Sequence, residues 1–341
     1  MTHSQQFDFF VIGGDVVHEL VSRDRVAIMS RVQDAYAAHG AGKTVNPDSY
    51  FLRFPDKANA RIIALPAYLG GGLDVAGIKW IASFPDNISR GIPRASAVLI
   101  LNDYETGYPI ACLESSIISA ARTAASAVLG AEWLNDGKLQ ARNVGFIGNG
   151  LISRYIADFF FDKGWRFENV HLFDLERSYS EAMAKHIHEQ RGANVLYADS
   201  TEALIRRCDM VVFATTAPTP YVQDPALFSH NPVVLNVSLR DLSPEIILSA
   251  DNIVDDVDHC LKANTSPHLA EQRVGNRAFV NGTLDELIRG SIRLSGDRPR
   301  IFSPFGMGIL DLAVGIHVYR EAVAAGRAIR IDNFFHERKR W

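Results

Sequence analysis

The sequence is poor in cysteine and contains no long apolar run. Its 341 residues include three cysteines, Cys112, Cys208 and Cys260, which have no metal-ligand spacing and form no even set. We therefore expect a reducing compartment and no disulfide framework. The absence of any run of 18 apolar residues excludes a membrane-spanning helix, and the N-terminus lacks the basic start and apolar core of a signal peptide. These absences predict a soluble, cytoplasmic protein without a membrane partner.

The sequence also lacks an excess of either charge. Lys+Arg is 35 and Asp+Glu is 39, so the net charge is −4, which argues against nucleic acid as the main partner. Among the cations lysine is scarce, with 8 Lys against 27 Arg. Codon bias can produce this ratio, but a buried lysine shifts its pKa readily, so a lysine among apolar neighbours is a candidate functional residue. No histidine pair has HxxxH or HExxH spacing, so we expect no metal site.

What is present is an ordinary globular composition, with 47% hydrophobic and 22% charged residues, which argues against disorder. After a helix predicted over 114–136, apolar strand-like runs alternate with helical patterns, beginning with a strand at 143–147 and ending with one at 252–254. Such alternation predicts βαβ units and a mostly parallel, doubly wound α/β sheet. We place this domain at 120–314.

The first 119 residues have a different pattern, which predicts an α+β unit. A helix over 25–39 is followed by extended segments separated by turn residues. A C-terminal helix over about 310–325 has no place in the series of parallel strands. We expect it to pack on the first domain, which would then be discontinuous and consist of 1–119 and 315–341. The extended segments are Tyr50–Arg53, Arg61–Leu65, Ala76–Ser83, Ala95–Leu101 and Tyr108–Cys112.

A glycine-rich turn, Gly148-Asn149-Gly150-Leu151-Ile152-Ser153, connects the first predicted parallel strand to a helix. The first glycine permits a tight turn, the second permits close approach of the backbone to a pyrophosphate, and the helix N-terminus attracts negative charge. Asp174 closes the next strand 24 residues after Gly150, where a carboxylate binds the ribose hydroxyls. We predict a dinucleotide site; a purely structural turn is the alternative.

The acid at Asp174 favours NAD over NADP, because a 2′-phosphate would meet like charge, although Arg177 could partly offset this effect. A second loop, containing Thr215 and Thr216, ends a later strand at the same edge of the sheet. Ligands of open α/β sheets bind at that edge. This loop is therefore either a cofactor contact or a simple turn.

Several charged residues lie among apolar or small neighbours. Lys79 is set in Gly77-Ile78-Lys79-Trp80-Ile81, where burial would lower its pKa unless an anion such as a substrate carboxylate compensates; the alternative is a side chain that points into water. Arg122, on a helix face of small residues, is a candidate for a bidentate carboxylate contact or for a structural salt bridge. Arg53 and Arg94 have the same ambiguity.

Asp241 follows a predicted strand at 233–237. A carboxylate at that end of the sheet is a candidate general base. Capping of the following helix is the alternative, but Ser243 in Ser243-Pro244-Glu245 is the better N-cap.

Together these residues resemble the ornithine cyclodeaminase/μ-crystallin family over nearly the whole chain. The resemblance implies a Rossmann-type domain combined with a substrate-binding and dimerisation domain, an NAD cofactor and a homodimer. It assigns substrate carboxylate binding to Arg53, Lys79 and Arg122, acid/base chemistry to Asp241, and a cofactor contact to Met307. Its specific segments are Gly77–Trp80, Leu101–Pro109, Ala121–Ala125, Ile147–Gly150 and Ser303–Gly308.

One departure indicates a branch of the family. Ornithine-specific members carry a glutamate before the proline of the second strand, whereas Arg61-Ile62-Ile63-Ala64-Leu65-Pro66 has no acid. This segment, Gly77–Ile81 and Arg94–Asp103 resemble those of one subgroup, the N-[(2S)-2-amino-2-carboxyethyl]-L-glutamate dehydrogenases, which supply L-2,3-diaminopropionate for siderophores and peptide natural products. This similarity implies an NAD-dependent oxidoreductase for a tricarboxylate amine, with Arg94 as a further substrate contact and Lys79 as a further catalytic group. Alternatives are an ornithine or lysine cyclodeaminase, an alanine dehydrogenase, a ketimine reductase or a non-catalytic NAD(P)-binding protein.

Overall fold

The computed structural model describes residues 7–336, which form two compact units. The first unit extends to Arg122 and resumes at Met307, and the second comprises Thr123–Gly306. Among the described residues, no helix is both long enough and apolar enough to cross a membrane.

Strands and helices are numbered in chain order. The strands are β1 (Phe10–Ile12), β2 (Thr44–Val45), β3 (Tyr50–Phe54), β4 (Lys57–Leu69), β5 (Val75–Ser83), β6 (Ala95–Asp103), β7 (Pro109–Glu114), β8 (Gln140–Ile147), β9 (Arg166–Phe173), β10 (Val195–Tyr197), β11 (Met210–Phe213), β12 (Val233–Asn236), β13 (Asp251–Val254), β14 (Val280–Thr283), β15 (Arg300–Ser303) and β16 (Ile329–Arg330). The helices are α1 (Gly14–Arg23), α2 (Arg25–Gly40), α3 (Ser116–Leu134), α4 (Leu151–Lys163), α5 (Arg177–Arg191), α6 (Thr201–Arg207), α7 (Pro244–Leu248), α8 (Val257–Cys260), α9 (Ser266–Val274), α10 (Leu284–Ile288) and α11 (Gly308–Ala324).

The second unit is built on a parallel sheet with the strand order β10-β9-β8-β11-β12-β15-β13-β14. All of its strand pairs are parallel, and its first five strands have the 3-2-1-4-5 order of a Rossmann-type sheet. The predicted α/β fold class is confirmed. Strands β11, β12 and β13 are buried along their whole length, because helices cover both faces of such a sheet.

The predicted series of strands is incomplete at its end. It stops at residue 254, whereas the structure adds β14 and β15, and β15 is inserted between β12 and β13. Strand β14 contains one apolar residue, Val280, and β15 contains two, Ile301 and Phe302, too few to indicate a strand, whereas the equally short β11 is apolar throughout.

The first unit contains a mixed sheet with the order β16-β1-β7-β6-β5-β4-β2, in which β3 also pairs with β4. Strand β5 lies between β4 and β6 and is antiparallel to both. Helix α11 packs on these three strands and on α2. Because α11 is buried against this sheet from Gly308 onward, all of it belongs to the first unit, and the boundary expected at 314 falls inside the helix. The boundary expected at 119 falls inside α3.

Candidate active site

The glycine-rich turn joins β8 to α4 in the second unit. Gly148 has φ of 81°, and a Cβ there would lie 2.7 Å from the carbonyl oxygen of Ala214, so the position requires glycine. Gly150 caps α4 without a side-chain hydrogen bond, and a Cβ at Gly150 would meet nothing within 4 Å. The buried Ser153 hydroxyl donates to the Gly148 carbonyl. The N-terminus of α4 is therefore open to a phosphate group.

Asp174 follows β9 and is tied to the same turn. Its carboxylate accepts hydrogen bonds from the backbone N–H of Asn149 at 2.7 Å and of Glu176 at 2.9 Å, which leaves acceptor capacity for ribose hydroxyls. It borders a cleft of about 260 Å³ together with Arg177, Ser180 and Asp199. An open helix N-terminus beside a half-buried carboxylate and a cleft fits a dinucleotide.

The other residues predicted to bind cofactor in this turn differ in exposure. The Asn149 side chain is buried and donates to Ser180 Oγ at 2.9 Å, so it stabilises the loop. Leu151 is exposed and Ile152 is half-buried. Arg177 lies 3.7 Å from the centre of the Tyr197 ring, and its Nε donates to Glu181 at 3.4 Å.

The structure brings Thr215 and Asp241 together. Asp241 is completely buried, and its carboxylate accepts hydrogen bonds from the hydroxyls of Thr215, Ser238 and Tyr221. Burial raises the pKa of Asp241, whereas these hydroxyl donors oppose the rise. Ser243 occupies the N-cap position of α7, so Asp241 does not cap that helix. Thr216 is exposed on the same loop.

A cluster of charged residues lies inside the first unit. Lys79 is 2% exposed and Asp311 is 0% exposed. Lys79 Nζ lies 2.7 Å from one carboxylate oxygen of Asp311, and Arg122 Nε lies 3.3 Å from the other. Lys79 Nζ also donates to Ser119 Oγ at 3.3 Å. The alternative in which Lys79 points into water is wrong, because α11 covers its face of the sheet.

The remaining predicted residues are not part of this cluster in the described range. Arg53 is exposed on β3, opposite Arg61 of β4. Arg94 is half-buried and donates to Ser83 Oγ at 2.8 Å. Met307, at the N-cap of α11, is fully buried.

Sequence reasoning missed Asp311 and two of the hydroxyl partners of Asp241, Ser238 and Tyr221. A signal for Asp311 existed, since it is the one charged residue in the apolar segment from Gly308 to Ile316, where a charge needs a partner. Ser238 and Tyr221 gave no comparable signal, because serine and tyrosine are common beside strand ends.

Comparison with known proteins places this geometry in a family. The ornithine cyclodeaminase/mu-crystallin family model matches residues 14–326, most of the chain. The chain belongs to the ornithine cyclodeaminase/mu-crystallin family.

Relatives within this family include enzymes of different specificity. The N-((2S)-2-amino-2-carboxyethyl)-L-glutamate dehydrogenase of Staphylococcus aureus is 32% identical over 302 residues, covering 85% of this chain and 88% of that protein. The alanine dehydrogenase of Archaeoglobus fulgidus is 28% identical over 335 residues, covering 95% and 98%. Among solved structures, an archaeal alanine dehydrogenase dimer with bound NAD has a TM-score of 0.85 at 26% identity, covering 96% of this chain and 100% of that one.

Proposed function

We propose that this family member is an NAD-dependent oxidoreductase that acts on the CH–NH bond of an amino-acid derivative. Its substrate is N-(2-amino-2-carboxyethyl)-L-glutamate, and its products are L-2,3-diaminopropionate and 2-oxoglutarate. The observation that carries this proposal is the buried cluster of two cations and one carboxylate at Lys79, Arg122 and Asp311, whose net positive charge suits an anionic substrate. The similarity to the Staphylococcus aureus dehydrogenase supports the choice of substrate.

The cofactor is NAD, bound through the turn at Gly148 and Gly150 and through Asp174. The carboxylate of Asp174 would repel a 2′-phosphate, and Arg177, which lines the same cleft, already contacts Glu181 and the Tyr197 ring. The alanine dehydrogenase neighbour with bound NAD supports this assignment. The remaining cofactor contacts that we propose are Asn149, Leu151, Ile152, Thr215, Thr216 and Met307.

The substrate carries three carboxylates and a secondary amine. Strand β4 has no acid at 61–66, so it offers no partner for the cationic side chain of ornithine. We assign carboxylate binding to Lys79 and Arg122, with Arg53 and Arg94 as further contacts. A substrate with three carboxylates can pair with several of these cations, whereas ornithine has only one carboxylate.

The reaction consumes water and produces NADH. Held at the turn of Gly148 and Gly150 and by Asp174, NAD+ would supply the acceptor for the hydride of the glutamate Cα. The secondary amine loses a proton in this oxidation, and a C=N bond forms. Asp241 then accepts a proton from the attacking water, and Lys79 polarises the intermediate through its charge. Breakage of the C–N bond releases diaminopropionate and 2-oxoglutarate, so substrate, NAD+ and water give the two products, NADH and one proton. We place this reaction in siderophore or peptide natural-product biosynthesis, where diaminopropionate is a building block.

A substrate panel tests this function. The purified protein is incubated with NAD+ and either N-(2-amino-2-carboxyethyl)-L-glutamate, L-alanine, L-ornithine or L-lysine, and in a separate reaction with NADH and a cyclic imine. NADH and products are followed by absorbance and mass spectrometry. We expect NADH and diaminopropionate from the first compound. NADH from L-alanine alone, a cyclic amino acid without net NADH, or NADH oxidation by a cyclic imine would instead identify one of the other family activities.

The catalytic role of Asp241 is tested separately with Asp241→Asn. We expect this variant to bind NADH normally but to lose turnover by about 10²–10⁴-fold, the usual contribution of a positioned acid/base. The matched control is Asp251→Asn, because Asp251 is also a buried aspartate that accepts a serine hydroxyl, from Ser295 at 2.7 Å. Full activity of Asp241→Asn would remove this residue from the mechanism.

We also propose that the protein is a homodimer that pairs through the sheet of the first unit. Tyr50, Ala64, Trp80 and Val98 form one cross-strand row over β3, β4, β5 and β6, on the face opposite Lys79. Tyr50, Trp80 and Val98 are exposed, and Trp80 is 41% accessible. Apolar rows of this kind are typical of protein interfaces. A second copy of the chain is the partner that we propose, as in the dimeric neighbour.

A further inference from the structure

A carboxylate in the first unit lies between two cations. Asp311 contacts Lys79 Nζ through one oxygen at 2.7 Å and Arg122 Nε through the other at 3.3 Å. Lys79 and Asp311 are buried, and the Arg122 side chain is 12% exposed. One carboxylate cannot neutralise two cations, so the cluster retains a net charge of one positive unit in a place that solvent hardly reaches.

The position of Asp311 is set by the packing of α11 on the sheet. Gly77 and Lys79 are two residues apart on β5 and share a face. A Cβ at Gly77 would lie 2.3 Å from the Ile100 carbonyl oxygen and 2.8 Å from Leu312 Cδ2, so α11 packs directly on this strand. Asp311 is the neighbour of Leu312 in α11, and Lys79 lies two residues from Gly77 on the strand below. The contact of α11 with the strand therefore brings the Asp311 carboxylate to Lys79.

Lys79 and Arg122 both have hydrogen-bonding capacity that Asp311 does not use. Within residues 7–336, Lys79 Nζ has two acceptors, Asp311 and Ser119, and an ammonium group has three N–H donors. Within the described part of the chain, Arg122 donates to Asp311 through Nε, which leaves the terminal amino groups of its guanidinium for a different acceptor. A carboxylate, with two oxygens and one negative charge, matches these donors and the residual charge.

We propose that Asp311 is a positioning residue that keeps Lys79 protonated and orients Arg122, so that the two cations together bind one carboxylate of the substrate. This inference rests on the proposed function for its substrate. Electrostatics support it: burial and the charge of Arg122 lower the pKa of Lys79, Asp311 opposes both effects, and the resulting pKa is about 8. Without Asp311, the same burial would favour a neutral amine, which cannot bind an anion well.

The ionisation of Lys79 can be measured without any substrate. The chain has eight lysines, so ¹³C-lysine labelling gives a simple NMR spectrum in which Lys79→Arg identifies the Lys79 signal. We expect the pKa of Lys79 to fall by about one to three pH units in Asp311→Asn, as for loss of an opposite charge at this distance. An unchanged pKa would overturn the proposal.

Two further variants separate charge, geometry and folding. Asp311→Glu keeps the charge but moves the carboxylate, so we expect a Lys79 pKa close to that of the wild type and a raised KM; this variant also serves if Asp311→Asn does not fold. A KM equal to that of the wild type in Asp311→Glu would count against positioning. The control is Asp285→Asn, which removes a buried partner of Arg289 in the second unit and should change neither quantity.

Steady-state kinetics link this ionisation to binding. In Asp311→Asn, we expect KM for the substrate to exceed that of the wild type at pH values above the lowered pKa of Lys79. At lower pH, KM should return toward the wild-type value, and kcat should change less than KM. If the wild type turns over none of the substrates, the proposed function fails, but the NMR titration still decides the role of Asp311. If the wild type is active and the pKa of Lys79 does not move, only the role of Asp311 fails.

Discussion

Burial acts in opposite directions on the two groups to which we assign catalysis. It raises the pKa of Asp241 and lowers the pKa of Lys79, because each charged form loses hydration inside the protein. With all its neighbours included, the pKa of Lys79 is about 8. Asp241 is surrounded by hydroxyl donors, and Lys79 by a carboxylate and a serine. These partners partly restore the charged forms, so that a range of pH exists in which Asp241 is ionised and Lys79 is protonated.

The pH dependence of kcat/KM should therefore be bell-shaped. On the acid side, activity falls as Asp241 takes up a proton, at a pH above the ordinary aspartate value of 3.8. On the alkaline side, activity falls near pH 8 as Lys79 loses its proton. The measurement is initial NADH formation across pH with the substrate well below KM.

Lys79→Arg is the control for the alkaline limb. Arginine keeps its charge at all accessible pH values, so the residual activity of this variant should not decline near pH 8. If the decline is the same in both proteins, a group other than Lys79 causes it.

At the scale of elements, the connection from β8 to α4 carries the cofactor proposal. Its two glycines are there for different reasons. Gly148 has a left-handed backbone conformation and closely approaches the Ala214 carbonyl, so it is needed for the fold. Gly150 has φ of −79° and open space around its missing side chain, so its importance lies in access to the helix N-terminus.

Alanine substitutions distinguish these two roles. Gly148→Ala should lower the free energy of unfolding by on the order of 2 kcal/mol, because alanine is strained at positive φ and meets the carbonyl oxygen. Gly150→Ala should unfold like the wild type but bind NADH about tenfold or more weakly, since its methyl group occupies the approach to the pyrophosphate. Thermal unfolding and NADH fluorescence titration measure the two effects. Normal NADH affinity in a folded Gly150→Ala would contradict the cofactor proposal.

At the scale of the whole molecule, the exposed apolar row of the first unit predicts self-association. A two-fold symmetric dimer would place the same face of both copies together, and a stable interface needs about 1,000 Å² or more of buried surface. We expect a dimer by sedimentation equilibrium for the wild type. The double variant Trp80→Glu, Val98→Glu should be a monomer, because it would bury charge in that interface.

Val274→Glu is the matched control for the dimer. Val274 is an exposed apolar residue at the end of α9 in the second unit, so its substitution should leave the dimer intact. A monomeric wild type would refute the proposed interface. A monomeric Val274→Glu would indicate that the dimer forms through the surface around Val274 instead.

The sequence by itself determined the parallel sheet and the residues that stand out from their neighbours. Strands β8, β9 and β11 were predictable because apolar runs and turn residues are local features of the sequence. The turn at Gly148 was predictable because its glycines lie between a predicted strand and a predicted helix. Lys79, Arg122 and Asp241 were recognisable because each is a charge in apolar or small-residue company. Their roles remain predictions that the experiments above test.

Only the tertiary structure decided which residues these charges contact. Asp311 follows Lys79 by 232 positions, and no local pattern connects a helix near the C-terminus with the middle of β5. The strands β14 and β15 were missed for a related reason, since they contain only one and two apolar residues and form by pairing with their neighbours in the sheet. Helices and strands can be predicted locally because their side chains repeat with a fixed period. Contacts between distant segments depend instead on packing. Packing brings Asp311 against Lys79 and thereby sets the charge of the cluster.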